Sequence, residues 1–138
     1  MEATTMTNQD NSEVLRRLKH DLRNPVNHIL GYSDLLLEEP ECLDAVQANT
    51  IRSIRDCGEE LLRQIEKILA DGTKGSVLEL RRAFGPVVLK LCGLSNPADS
   101  DFGANQDMVL NIHRAGATLL AFVERGTLPA HANASSGH

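Results

Sequence analysis

The chain has 138 residues, a net charge of −5, 41% apolar residues and only 3% aromatics. That is one domain's worth of chain with a modest core, and with so few aromatics helix-on-helix packing is favoured over a β-sandwich. The acidic balance argues against a nucleic-acid backbone as partner, no run approaches the ~20 apolar residues of a membrane span, and no signal-peptide pattern heads the chain, so a cytoplasmic location is expected.

Residues 1–11 are polar and aperiodic and are expected to be disordered. Asp10, Asn11 and Ser12 are suitable N-caps for the segment that follows. There Leu15, Leu18, Leu22, Pro25, Ile29, Tyr32 and Leu36 recur at alternating spacings of three and four, the stripe of a helix packed in a bundle. Pro40 should end it. A second helix starts near Glu41–Asp44, with the stripe Ile51, Ile54, Gly58, Leu61, Ile65 and Ile68 and a stop at Asp71-Gly72. The connection is short, so the two helices should form an antiparallel hairpin. Beyond a Gly72–Gly75 turn, a third helix from about Ser76 to Leu94 carries Val77, Leu80, Phe84, Val87, Leu91 and Leu94. Residues 96–105 read as a loop. A fourth helix spans about Gln106 to Arg125, with Val109, Ile112, Gly116, Leu119 and Val123. Residues 127–138 read as a linker or tail.

The halves look like repeats. Ile54 to Glu66 aligns with Ile112 to Glu124 at an offset of 58, with Ile, Gly, Leu, Leu and Glu identical. The first helices of each half match at an offset of 61, where Pro25-Val26 meets Pro86-Val87. The expected fold is therefore all-α: an antiparallel four-helix bundle over residues 12–126, made of hairpin one (12–71) and hairpin two (76–126) related by an internal pseudo-twofold.

The most informative stretch is His20-Asp-Leu-Arg-Asn-Pro-Val-Asn-His-Ile-Leu-Gly-Tyr-Ser33. With Leu15 and Leu22 at heptad position a, His20 falls at f, farthest from the seam, with Arg23, Asn24 and Asn27 also on the polar side. Pro25 offers no N–H to the Asp21 carbonyl and costs a helix interior ~3 kcal/mol, so a kink near His20 and a positional purpose are expected. An exposed imidazole is mostly neutral near pH 7 and can attack phosphorus, and a carboxylate beside it can fix the tautomer. Asp21 is the candidate for that role, and Asn24 for holding a water or a phosphoryl oxygen. His28 and His113 read as flanking surface histidines. Cys42, Cys57 and Cys92 show neither a CxxC nor a zinc-ligand spacing, so no metal site is expected and Cys57 reads as a packing residue.

The stretch resembles the H-box of histidine kinase dimerisation and phosphoacceptor domains, whose pattern His-Asp/Glu-x-x-Thr/Asn-Pro is matched by His20, Asp21, Asn24 and Pro25. The resemblance implies that His20 accepts phosphate and passes it to a response-regulator aspartate. It implies proton handling by Asp21, water or phosphoryl positioning by Asn24, and a binding surface including Arg23, Pro25 and Asn27. The second half has Arg81-Arg82-Ala83-Phe84-Gly85-Pro86 in the corresponding place, so activity should be single-sited. No ATP-binding motif occurs within these residues, so a separate histidine kinase catalytic domain is expected as partner, along with a receiver domain. Mg2+ is expected on those partners and no cofactor on this chain. One chain can supply all four helices, so the sequence is compatible with either a monomer with an intramolecular bundle or a homodimer. The competing reading is a catalytically degenerate dimerisation or receiver-docking bundle.

Overall fold

The computed structural model describes residues 2–39, 43–68, 76–96 and 102–126. They form four helices: α1 (Glu2–Leu37), α2 (Ala45–Ile68), α3 (Ser76–Leu94) and α4 (Gln106–Arg125). α1 packs mainly on α2 and α4, and α3 on α2 and α4, so α1 and α3 occupy opposite corners of a square bundle. The fold is all-α, as the stripes predict. Asp71-Gly72, the Gly72–Gly75 turn, Pro40, Cys42 and the tail after Gly126 lie outside the described residues.

α1 begins at Glu2 rather than at the Asp10–Ser12 caps, so the segment expected to be disordered continues the helix. Extending an existing helix adds one hydrogen bond per residue fixed, and residues 2–12 hold neither Gly nor Pro to oppose it. The helix also passes through Pro25 without ending. Leu22, Val26 and Ile29, all fully buried, hold the turns on both sides of the proline against the core. α2 starts at a reciprocal capping box. The Gln47 N–H donates to Asp44 Oδ1 at 2.7 Å, and the Asp44 N–H donates to Gln47 Oε1 at 2.9 Å. α4 ends on Gly126, whose φ of 79° places it in the left-handed region while its N–H donates to the Phe122 carbonyl at 2.7 Å.

Within each hairpin the contacts run in reverse order, as antiparallel helices require. Arg23 reaches Glu66 while Arg55 reaches Asp34. In the second hairpin Arg81 reaches the end of α4 while Ser95 reaches His113. The two glycines of the repeat mark the closest approaches. A Cβ on Gly58 would lie 3.2 Å from Ile29 Cγ2 and 3.0 Å from Leu30 Cδ2. A Cβ on Gly116 would lie 2.6 Å from Leu91 Cδ2 and 3.3 Å from Cys92 Sγ. Ile29-Leu30 and Leu91-Cys92 are thus equivalent, which sets the first helices 62 residues apart. Burial agrees: Leu22, Val26, Ile29 and Ser33 correspond to Phe84, Val88, Leu91 and Ser95, all buried.

The offset of 61 expected from Pro25-Val26 and Pro86-Val87 is therefore one residue short. Pro25 is buried and Pro86 is exposed. One residue is 100° of helix rotation, so a shared dipeptide is a weaker guide to register than the whole buried face. Val26 and Val88 are buried outside the strict heptad seams, and Val87, expected in the core, is only half-buried. Phe102 is an addition from the expected loop: it is buried, just ahead of a 3-10 turn at Gly103–Asn105, and its N–H donates to Gln106 Oε1 at 2.8 Å.

Candidate functional site

His20 is exposed on the outer face of α1, as its heptad position requires. Asn24 and Asn27, one and two turns on, share that exposed face, and Asp21 is half-buried. Among the described residues none forms a hydrogen bond or ion pair with His20, Asp21 or Asn24. Successive helical residues point about 100° apart, so Asp21 is near His20 in sequence without facing its ring. The pairing expected between them is absent in this state. Pro25 lies in the core, so it contributes to the site through the backbone: the Asp21 carbonyl, which a residue-25 N–H would otherwise engage, is left over beside His20.

α2 holds this segment from one side. Glu66 accepts from the Arg23 guanidinium and lies 3.3 Å from Lys19 Nζ through its other oxygen. The bond from Arg23, aided by Lys19, holds the Glu66 carboxyl below the usual glutamate range. Farther along, Arg55 Nε donates to Asp34 Oδ1 at 2.6 Å, and its terminal nitrogen pairs with Glu59 at 3.2 Å. Exposed ion pairs are each worth little energy. Here they lie at two levels of the α1–α2 seam, while the rotation of α1 that turns His20 outward is set by fully buried Leu22, Val26 and Ile29.

The residues one turn from His20 are Arg16, Arg17, Arg23 and Asn24. Arg16 is paired with Glu13. Arg17 is exposed and, among the described residues, unpaired. Arg16 and Arg23 are turned to Glu13 and Glu66, so Arg17 and Asn24 are, among the described residues, the unpaired polar groups one turn from His20, a suitable setting for a phosphoryl group. Reading the motif forward from His20 found Arg23 and missed Arg16 and Arg17, although the i−4 and i−3 spacing was present in the sequence.

The other singled-out groups have structural surroundings. His28 is exposed, edge-on to Tyr32 with ring centroids 6.4 Å apart. His113 is not simply a surface residue: its Nδ1 lies 3.0 Å from the buried Ser95 Oγ. That hydroxyl also lies 2.9 Å from the Leu91 carbonyl, to which it donates. Burial pushes the Cys57 and Cys92 thiols up, which keeps them protonated and unreactive. No group of three metal-ligating side chains occurs among the described residues, and no helix there is long and apolar enough to cross a membrane.

With this geometry in hand, the relatives are informative. Residues 10–76 match the His Kinase A (phospho-acceptor) domain family. That segment belongs to the family. It comprises most of α1 and all of α2, so the phospho-acceptor hairpin is the first half of the bundle. Histidine kinase 1 of Arabidopsis thaliana is 36% identical over 58 residues, 42% of this chain and 5% of that protein. The chain thus shares only a small part of that relative's length. No solved structure matches.

Proposed function

We propose that His20 is a phosphoacceptor in a two-component system, loaded by a separate kinase domain and discharged to a receiver-domain aspartate. The observation that supports this most directly is the exposed imidazole of His20, with Arg17 and Asn24 one turn to either side, within a segment that matches the phospho-acceptor family. In the loading step a neutral ring nitrogen attacks the γ-phosphorus of ATP, the bond to the bridging oxygen breaks and ADP leaves. The second ring nitrogen then gives up its proton, for which Asp21 is the acceptor once a bound partner brings the two together. In the discharge step the receiver carboxylate attacks phosphorus, the P–N bond breaks and the ring regains a proton. Arg17 offsets the charge of the phosphoryl oxygens, and Asn24 orders one of those oxygens or a water. ATP and Mg2+ belong to the partners in this scheme.

The test is phosphoryl transfer to the full chain from a labelled receiver or a kinase domain supplied in trans, comparing wild type with His20→Gln. Acid-labile label on wild type that disappears in His20→Gln is the expected result. Absence of label with every donor, while receiver binding persists, would replace this reading with a docking bundle that has lost its chemistry. Asp21→Asn is expected to slow loading without changing receiver affinity. Asn24→Ala should mainly alter the lifetime of the phosphorylated form.

A further inference from the structure

The 62-residue correspondence between α1 and α3 exposes a conversion of one surface. On α1 the outer stripe is Arg16, His20, Asn24 and Asn27, all exposed. The same places on α3 hold Leu78, Arg82, Pro86 and Leu89, also all exposed. Leu78 and Leu89 show 50% and 61% of their surface. Single exposed leucines are ordinary, but here two share one stripe with an exposed proline, on either side of the Arg82 stem, and together make a mixed strip with apolar ends. The strip continues onto Gly93, exposed and with open space where a Cβ would be. Glu79 and Lys90 flank it, both exposed and, among the described residues, in no ion pair.

We propose that this face of α3 docks a second copy of the same chain across a twofold axis. The choice of partner rests on self-complementarity. When two α3 helices are laid antiparallel about the level of Phe84, Leu78 and Glu79 each fall within one residue of the level of Leu89 and Lys90 of the second copy. The Arg82 stem then lies over Pro86. Twofold symmetry repeats each pairing, giving two leucine contacts and two ion pairs. α1 and α3 sit at opposite corners of the bundle, so this contact leaves both His20 faces open. One helix face from each copy falls well short of the ~800 Å2 per partner of a stable interface, so the dimer belongs to the weak, reversible class.

Sedimentation equilibrium of the full chain from micromolar to millimolar concentration tests the proposal, with circular dichroism confirming that each variant is folded. The wild-type mass should rise with concentration from 15.1 kDa toward twice that value. Leu89→Glu should weaken association by at least about tenfold, because symmetry removes both leucine contacts at once. Lys90→Glu, which sets glutamate against glutamate, should weaken it too. The swap of Glu79→Lys with Lys90→Glu should restore it. A wild type that stays at monomer mass throughout would overturn the proposal. So would a dimer indifferent to Leu89→Glu, or a double swap no better than Lys90→Glu alone.

Discussion

The two hairpins share a skeleton and differ in what they do with it. In both, a glycine lets the second helix close on the first, at Gly58 and at Gly116. Both tie the first helix to the end of the second with a basic residue: Lys19 bridges to the Glu66 side chain, and its counterpart Arg81 donates to the Val123 and Glu124 carbonyls at 3.1 Å. Both carry a cross-helix polar pair at one level, Asp34–Arg55 in the first and Ser95–His113, one residue from strict equivalence, in the second. The outer faces diverge. Hairpin one keeps a histidine, an acid and an amide at His20, Asp21 and Asn24, where hairpin two has Arg82, Ala83 and Pro86. Packing needs are shared by both copies, whereas an outward face is free to change without disturbing the core.

The largest expected contrast is chemical. His20→Gln should remove all phosphoryl label, while Arg82→Gln should leave it unchanged, measured under the same donor. Label surviving His20→Gln would show that the second half carries an acceptor after all.

Next in size is the contrast between the glycines. Gly116→Ala pushes a methyl against fully buried Leu91, which has little room to yield, and should cost about 1–2 kcal/mol after the ~1 kcal/mol helix gain of alanine. Gly58→Ala meets mainly half-buried Leu30, which can turn aside, and should be near neutral. Urea unfolding of both variants measures the difference, and equal costs would mean that the two close approaches are not distinct.

The buried serines give a smaller contrast. Ser95→Ala forfeits the hydrogen bonds to Leu91 and His113 and should destabilise by ~1 kcal/mol. Ser33 Oγ is buried with no hydrogen-bond partner, so Ser33→Ala should be neutral or slightly stabilising. Thermal unfolding of the pair would break the comparison if Ser33→Ala proved the more damaging.

The smallest effect concerns acid. The Glu66 carboxyl is held below its ordinary range in the folded chain, so its pairing stabilises the fold above that range and is lost as pH falls through the folded-state value. Both partners are well exposed, which limits the contribution to ~0.2–1 kcal/mol. The stability gap between wild type and Glu66→Gln should therefore be widest near neutral pH and close in acid. A gap that grows in acid would reverse the sign of this argument.

Much of this was legible in the sequence. The four stripes located the helices, and the heptad register turned His20 outward, because burial and exposure follow helical periodicity directly. Val26 and Ser33 escaped because the core-facing stripe is wider than a strict a/d seam. Phe102 escaped because a loop has no period. The register of α3 was misread by one residue because a shared proline outweighed a buried face that only packing reveals. His113 looked like a surface residue because its partner, Ser95, lies on another helix. The distance between Asp21 and the His20 ring was not legible, because successive helical residues point about 100° apart and adjacency in sequence does not set it.

The closure of the bundle within one polypeptide has a consequence for signalling arithmetic. An assembly built from two identical hairpins would carry two acceptors and pass through empty, singly and doubly loaded forms. If His20 is the proposed acceptor, each chain would be either empty or singly loaded, and dilution does not separate the hairpins that hold the site in place. Such a carrier would follow its donor along a single-site saturation curve, without the threshold that coupled acceptors could impose.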